Sequence, residues 1–156
     1  MKQIGVPTSE DRKYFFSKIP WSVDDGSGTL ISIVNEKEET QGLCMYNAHV
    51  PKITNGKHDN EGGSIFLSAL SMKKTWMLGN TVRLIVYYPF SVLKCTRLMT
   101  ITPIFNKSAI RLDKKYGFVF EGLLKNYFEF DNIVCDGVLL TLYKEIAIEL
   151  GYISNG

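Results

Sequence analysis

The sequence has few of the residues that build metal centres or disulfide frameworks. Its 156 residues include 3 cysteines and 2 histidines. The cysteines are odd in number and far apart in the sequence, at Cys44, Cys95 and Cys135. This argues against a disulfide framework, and no CxxC or Cys/His spacing indicates a zinc site. We therefore expect reduced, mostly buried thiols, a cytoplasmic setting and no bound metal.

Long apolar runs and a strong charge of either sign are also missing. No segment approaches the ~18 apolar residues of a membrane span. The first residues, MKQIGVPTSEDRKYFF, lack the apolar stretch of a signal peptide. The net charge of +2 is too small to indicate a basic nucleic-acid surface. Neither a membrane nor a nucleic acid is predicted as a partner.

What remains is an ordinary globular composition, with 45% hydrophobic and 22% charged residues. The length favours a single domain over residues 1–156. A short helix is predicted after Ser9, which is a fair N-cap. Three strand-like runs follow, GTLISIVNEKE, LCMYNAHVPKI and SIFLSALSM, separated by polar turn sequences. The third is continuously apolar, which predicts a strand buried on both faces.

The second half alternates helix and strand signals. The segment KKTWMLGNTVRLIVYYPFSVLKC fits both helical and strand spacing. Its β-branched and aromatic residues favour a strand, and Pro89 would end or kink a helix. We assign it as a helix only because of the strand and helix signals that come after it. TRLMTITPIF is a strand candidate. NKSAIRLDKKYGF predicts a helix with Asn106 as cap and Gly117 as stop. The end reads as two strands around FDNIVCDG. Together these predict a single mixed domain of the α/β (α+β) class.

The segment TRLMTITPIFNKSAIRLDKKYGFVFEG resembles the C-terminal half of the GNAT (Gcn5-related N-acetyltransferase) superfamily. The branch it resembles most acetylates the N-termini of ribosomal proteins. CDGVLLTLYKE resembles the family's closing strand. The resemblance is strongest over residues 95–145. It implies a GNAT-like domain with a mixed, mostly antiparallel sheet flanked by helices, acetyl-CoA as cofactor and an amine as acceptor.

The resemblance also implies where the cofactor would bind. Asn106, Ser108 and Arg111 match positions on the cofactor side of the family's helix, and Lys74 falls in the predicted pyrophosphate loop. Each also has a plain structural interpretation, as a helix cap or a solvated charge. The family's loop is rich in glycine, which lets the backbone approach phosphates. Here the loop is SMKKTWMLG, so that signature is absent.

No catalytic residue stands out. Asp113 occupies the place where many family members have a tyrosine that protonates the leaving thiolate, and an aspartic acid needs a strongly raised pKa to do so at neutral pH. Candidates for a general base are His49, Glu61 and Glu121, and a structural role is the commoner one for a lone histidine.

Two functions therefore remain open. The first is an N-acetyltransferase that transfers acetyl from acetyl-CoA to an amine. The alternative is a catalytically inactive GNAT-fold protein that binds protein partners in an assembly, such as a bacteriophage virion, since some phages encode proteins of this kind. The missing glycine loop favours the alternative, and the match at residues 106–122 favours the enzyme.

Overall fold

The computed structural model describes residues 1–155, so Gly156, the last residue of the predicted domain, lies outside them. Within that range the strands are β1 Gln3–Gly5, β2 Thr29–Val34, β3 Thr40–Val50, β4 Ile53–Thr54, β5 Lys57–His58, β6 Ser64–Ser71, β7 Arg97–Pro103, β8 Val119–Phe130 and β9 Ile133–Tyr143. The α-helices are α1 Ser9–Lys18, α2 Thr81–Val86, α3 Lys107–Lys115 and α4 Lys144–Glu149, and a π-helical segment Tyr87–Val92 continues α2.

Seven strands form one mixed sheet in the order β1-β2-β3-β6-β7-β9-β8. All neighbours in this sheet are antiparallel except β6 and β7, which run parallel. The sheet and the helices that flank it confirm the predicted fold class. The remaining strands, β4 and β5, form a small separate hairpin.

The parallel pairing between β6 and β7 is short, and beyond it the two strands separate. β6 and β7 share three residue pairs, which end at Phe66 opposite Met99. Beyond that point β6 remains paired with β3 as far as Ser71, and β7 remains paired with β9 as far as Pro103. The two strands therefore diverge, and each keeps a backbone edge without a strand partner in the gap.

Two apolar clusters cover the two faces of the sheet. Alternate residues of β3 point to opposite faces, so Leu43 and Met45 pack with Phe15 of α1. Cys44 and Tyr46 join the larger cluster on the other face, which includes α2 and the interior of β7 and β9. The Tyr46 hydroxyl donates to the Ile85 carbonyl, so its polar end is satisfied inside this cluster.

Several local predictions hold and others need correction. The helix over NKSAIRLDKK is confirmed, with Asn106 as its N-cap. α1 is also confirmed, but its cap is Thr8 and not Ser9, because Thr8 and Asp11 form a reciprocal capping box. The final turn is narrower than predicted: Asp131 and Asn132 both take positive φ, and the residues after them already belong to β9. α4 and β1 were not predicted.

The prediction that SIFLSALSM is buried on both faces is wrong for its second half. Burial along β6 alternates, and Ala69 and Ser71 are exposed. The physical reason is the divergence of β6 from β7, because this half of the strand faces open space where a continuous sheet would have a neighbour.

Candidate active site

A cleft of about 620 Å³ lies where β6 and β7 diverge. Its walls are residues 67–71 of β6, residues 100–103 of β7, the inner face of α3, part of α2 and the end of α1. Ligand pockets typically measure about 300–1,000 Å³. Because the facing strand edges lack strand partners, the cleft offers backbone N–H and C=O groups to an extended ligand.

The N-terminus of α3 borders this cleft. The Asn106 side chain accepts a hydrogen bond from the Ala109 backbone N–H at 3.4 Å, and Ser108 donates to the same oxygen at 3.3 Å. Asn106, Ser108 and Lys74 line the cleft, so the fold brings together three of the four residues predicted to contact cofactor. Arg111 is exposed and is not among the lining residues. A cofactor-binding role for these residues stays a prediction.

Asp113 is the acidic side chain on the cleft wall. It lies one turn along α3 from Ala109, and its Oδ2 accepts a hydrogen bond of 3.1 Å from the hydroxyl of buried Thr100. Burial raises the pKa of Asp113 to about 6, although the Thr100 hydrogen bond opposes the rise. The carboxyl can therefore exchange a proton near neutral pH, which an ordinary aspartic acid does not do.

The loop between β6 and α2 differs from the glycine-rich phosphate-binding loop that the family resemblance predicts here. Trp76 is buried, and its indole lies directly over Gly42 of β3. The Thr81 hydroxyl donates to the Trp76 carbonyl. Gly79, with φ of +75°, provides the left-handed turn before the helix. The loop is thus held by a large aromatic anchor, and Lys74 is its basic residue on the cleft.

A second pocket, of about 220 Å³, opens beside the cleft. It shares Trp21, Leu67, Ser68 and Ile101 with the cleft, so the two cavities meet where the strands separate. Its other lining residues are Ser22, Asn47, Ala48, Phe66, Tyr127 and Phe128. The Trp21 ring packs on the Phe128 ring with centroids 4.9 Å apart. No signal in the sequence grouped these residues, because they come from four separate elements and a loop.

The three predicted candidates for a general base line neither cavity. His49 Nε2 lies 2.8 Å from the Gly62 carbonyl oxygen. Glu121 accepts hydrogen bonds from Thr141, Tyr143 and Arg97. The bonds from Thr141 and Tyr143 hold the pKa of Glu121 below its usual value. These contacts give His49 and Glu121 structural roles, and Glu61 is exposed.

Three further features of the described residues concern metal ligands, membrane helices and thiols. Across residues 1–155 no group of three or more His, Cys, Asp or Glu side chains is arranged to hold a metal ion. The same part of the chain contains no helix long and apolar enough to cross a membrane. Cys44 and Cys95 are free and buried, and burial raises the pKa of the Cys44 thiol to about 12.

The backbone architecture matches solved structures. Mutant forms of the spermidine/spermine N-acetyltransferase SpeG from Vibrio cholerae superpose with a TM-score of 0.70 at 14% sequence identity, over 96% of this chain and 99% of theirs. A GCN5-related N-acetyltransferase from Brucella melitensis superposes with a TM-score of 0.65 at 15% identity, over 93% of this chain and 63% of its own. This chain has the GNAT fold.

At these identities the likeness establishes the GNAT fold and leaves the activity to be argued from the site. No protein-family model matches the sequence. No curated protein matches it either. The resemblance seen in residues 106–122 is thus confirmed for the fold of the GNAT superfamily. The ribosomal-protein branch stays a prediction.

Proposed function

We propose that the protein is an acetyl-CoA-dependent N-acetyltransferase. The observation that carries this proposal is the cleft between the diverging strands β6 and β7, which meets a second pocket at Leu67, Ser68 and Ile101. Two cavities that join at one point can bring a donor and an acceptor into contact, which is the main requirement for direct group transfer.

The residues of the cleft fit acetyl-CoA. The edge of β6 over residues 67–71 can pair with the amide groups of a pantetheine arm, as an added strand pairs with a sheet edge. Lys74 supplies positive charge for phosphate at the cleft wall, and Asn106 and Ser108 supply polar groups on α3. When bound, acetyl-CoA supplies an activated acetyl thioester.

Asp113 is the proton donor in this proposal. Its carboxyl has a pKa of about 6 and faces the cleft. An ordinary thiol has a pKa of about 8.5, so a protonated Asp113 would give its proton readily to a leaving thiolate. Thr100 donates to Oδ2 and thereby orients the carboxyl. The position where many GNAT enzymes have a tyrosine would then carry a different acid with the same task.

The first test is calorimetric titration of the purified protein with acetyl-CoA. We expect micromolar binding that Asn106→Ala weakens at least tenfold. The matched control is Thr8→Ala, which removes the side-chain cap of α1. Each change costs about 1 kcal/mol of helix stability, so a loss of affinity confined to Asn106→Ala reports cofactor contact. Absence of binding at millimolar acetyl-CoA would refute the proposal.

A second candidate is an inactive GNAT-fold protein that binds other proteins in an assembly, for example as a phage virion component. The observation that favours it is apolar exposure along the terminal hairpin. Phe120, Leu123, Ile133 and Val134 are each more than half exposed. Strand β8 also forms an edge of the sheet. Co-purified protein partners together with no acetyl-CoA binding would support this function.

If the protein is an enzyme of the ribosomal-protein branch, its acceptor would be the N-terminal α-amine of a protein.

A further inference from the structure

The lining of the second pocket carries no ionic charge at neutral pH. Its ten residues comprise four aromatics, three aliphatics and three small polar residues. Tyr127 is the sole titratable one among them, and it is half exposed. No carboxylate or histidine in this lining can pair with an ammonium group or take its proton, so its attraction for a cation is limited to the aromatic faces.

The charged and titratable side chains on the elements around the second pocket lie outside its lining. Lys18 and Asp113 belong to the cleft, and Asp24 lies 3.6 Å from Arg12. Arg97 and Glu121 pair with each other, and His49 contacts the Gly62 carbonyl. Asp25, Lys125 and Glu129 are exposed and lie outside the pocket lining. Asp136 of β9 is also outside the lining, and its Oδ1 accepts a hydrogen bond of 2.8 Å from the Asn126 backbone N–H.

This lining selects among amines through two physical effects. Only the unprotonated amine can attack a carbonyl carbon, and an alkyl amine such as lysine, with a pKa near 10.4, is neutral in roughly one molecule in 2,500 at pH 7. Without a base in the pocket, the acceptor must arrive neutral. A second ammonium group, as in a polyamine, would in addition lose hydration without gaining a counter-charge.

The pocket walls add a preference for a ring. Trp21 packs against Phe128 and Phe130, with centroid distances of 4.9 and 5.6 Å, and forms one wall of the pocket with Phe128. Offset-stacked and edge-to-face packing stabilises aromatic pairs beyond the area they bury, so these walls favour a ligand that carries a further aromatic ring. Asn47, Ser22 and Ser68 provide polar groups that can orient a neutral amine.

We propose that the second pocket binds a small arylamine, a primary amine of low basicity attached directly to an aromatic ring, as the acetyl acceptor. This inference rests on the proposed function. In the transfer, the amine nitrogen forms a bond to the acetyl carbon as the carbon–sulfur bond breaks. The nitrogen loses one proton to water and the sulfur gains one from Asp113, so the products are an N-aryl acetamide and a thiol.

The test compares three acceptors with acetyl-CoA as donor: p-toluidine, phenethylamine and spermidine. We expect kcat/KM at pH 7 to be at least tenfold higher for p-toluidine than for phenethylamine, and lowest for spermidine. The ratio of phenethylamine to p-toluidine rates should rise about tenfold per pH unit between pH 6 and 8, because only phenethylamine gains neutral form there. Taking the ratio cancels the titration of Asp113.

A charge placed in the pocket should change this order. Asn47→Asp adds a carboxylate to the lining, and we expect it to raise spermidine turnover relative to p-toluidine at least tenfold. Asn55→Asp adds the same charge at the exposed turn between β4 and β5 and should leave the order unchanged. If spermidine is the best acceptor of the unmodified protein, or if Asn47→Asp has no effect on the order, the arylamine proposal is wrong.

A binding measurement separates this proposal from the proposed function. The chain has two tryptophans, so Trp76→Phe leaves Trp21, which lines both the second pocket and the cleft, as the fluorescent reporter where they meet. Asn47 lines the second pocket and not the cleft, so quenching that Asn47→Asp weakens is assigned to that pocket. p-Toluidine should quench Trp21 saturably and spermidine should not, whether or not acetyl transfer occurs. Quenching by p-toluidine without acetyl-CoA binding would refute the acetyltransferase function and keep the pocket assignment. Acetyl-CoA binding without saturable quenching would overturn the pocket assignment alone.

Discussion

Asp113, the proposed proton donor, is a largely buried carboxyl on the wall of the cleft. In the folded protein its pKa is raised from 3.8 to about 6 by burial. The folded state therefore holds a proton between these values that the unfolded chain has already released. Stability contributed by this group is present below pH 4 and is lost as pH rises through 6. At neutral pH the ionised carboxylate destabilises the fold.

Asp113→Asn should raise the free energy of unfolding at pH 7 by about 1–3 kcal/mol, because a neutral amide avoids the burial of charge. The gain should vanish at pH 4. Urea denaturation at both pH values measures it. Asp59→Asn is the matched control, since Asp59 also accepts a threonine hydroxyl, from Thr54 at 2.9 Å, but in an exposed loop. An equal gain from both variants would contradict the assignment.

The same substitution should slow acetyl transfer. If Asp113 protonates the leaving thiolate, kcat should fall by about 10²–10⁴-fold in Asp113→Asn. With an acceptor that stays neutral, activity of the unmodified protein should decline as pH rises through about 6, since the acid form disappears. The variant should lack this decline. Activity that rises through pH 6 would instead assign Asp113 as a base.

Among the elements, the loop between β6 and α2 is held in place by one aromatic side chain. A side chain at Gly42 would collide with the Trp76 ring, so the absence of a Cβ on β3 is what admits the indole. Gly42 does not have a positive φ, so a substitution there introduces a steric clash with Trp76 without left-handed backbone strain. The loop and β3 are therefore one packing unit, and Trp76 holds that loop against the sheet.

Gly42→Ala should cost about 1–3 kcal/mol of stability, as overpacking generally does. Gly122→Ala is the matched control in β8, where an added Cβ meets nothing within 4 Å. Thermal unfolding of the two variants should separate them clearly. Combined with Trp76→Leu, the cost of Gly42→Ala should shrink, because the two changes share one contact. Full additivity would show that Trp76 does not anchor the loop.

The elements differ in how far the sequence predicts them. α3 follows from local signals that all agree: an Asn cap, cations in the last turn and Gly117 as stop. The segment KKTWMLGNTVRLIVYYPFSVLKC, which precedes β7, is ambiguous because its β-branched and aromatic residues favour a strand, and packing against the sheet makes it helical. It passes into a π-helical segment around Pro89, which has no N–H to donate. α4 was missed because its six residues carry no cap signal.

For the molecule as a whole, the sheet was predictable and the cavities were not. A cleft between two strands depends on where their pairing stops, and neither strand's own sequence encodes that point. The second pocket depends on Trp21 of a loop meeting Phe128 of a strand more than 100 residues later. The chemistry of such a site therefore has to be inferred from the three-dimensional arrangement. At Asp113, both the sequence and the structure raise the question whether an aspartic acid can protonate the leaving thiolate.

Binding of acetyl-CoA should stabilise the entire fold. At a ligand concentration about 100 times Kd, linkage adds roughly 2.7 kcal/mol. For a chain of this size that corresponds to a rise in Tm of about 5–11 °C. Differential scanning fluorimetry over a series of acetyl-CoA concentrations measures the shift. A Tm that stays constant as the ligand rises to millimolar concentration would mean that the cleft does not hold this cofactor.

The three residue pairs that join β6 to β7 also determine how the molecule bears mechanical load. On one side of them lies an antiparallel sub-sheet built from residues 3–71, and on the other a sub-sheet built from residues 97–143. Within each sub-sheet, most neighbouring strands are joined by six or more residue pairs, whereas only three pairs join the two sub-sheets. A force that pulls the two sub-sheets apart should therefore tear the sheet at this seam first. The gap between β6 and β7 that forms the cleft is therefore also the line along which the sheet would separate.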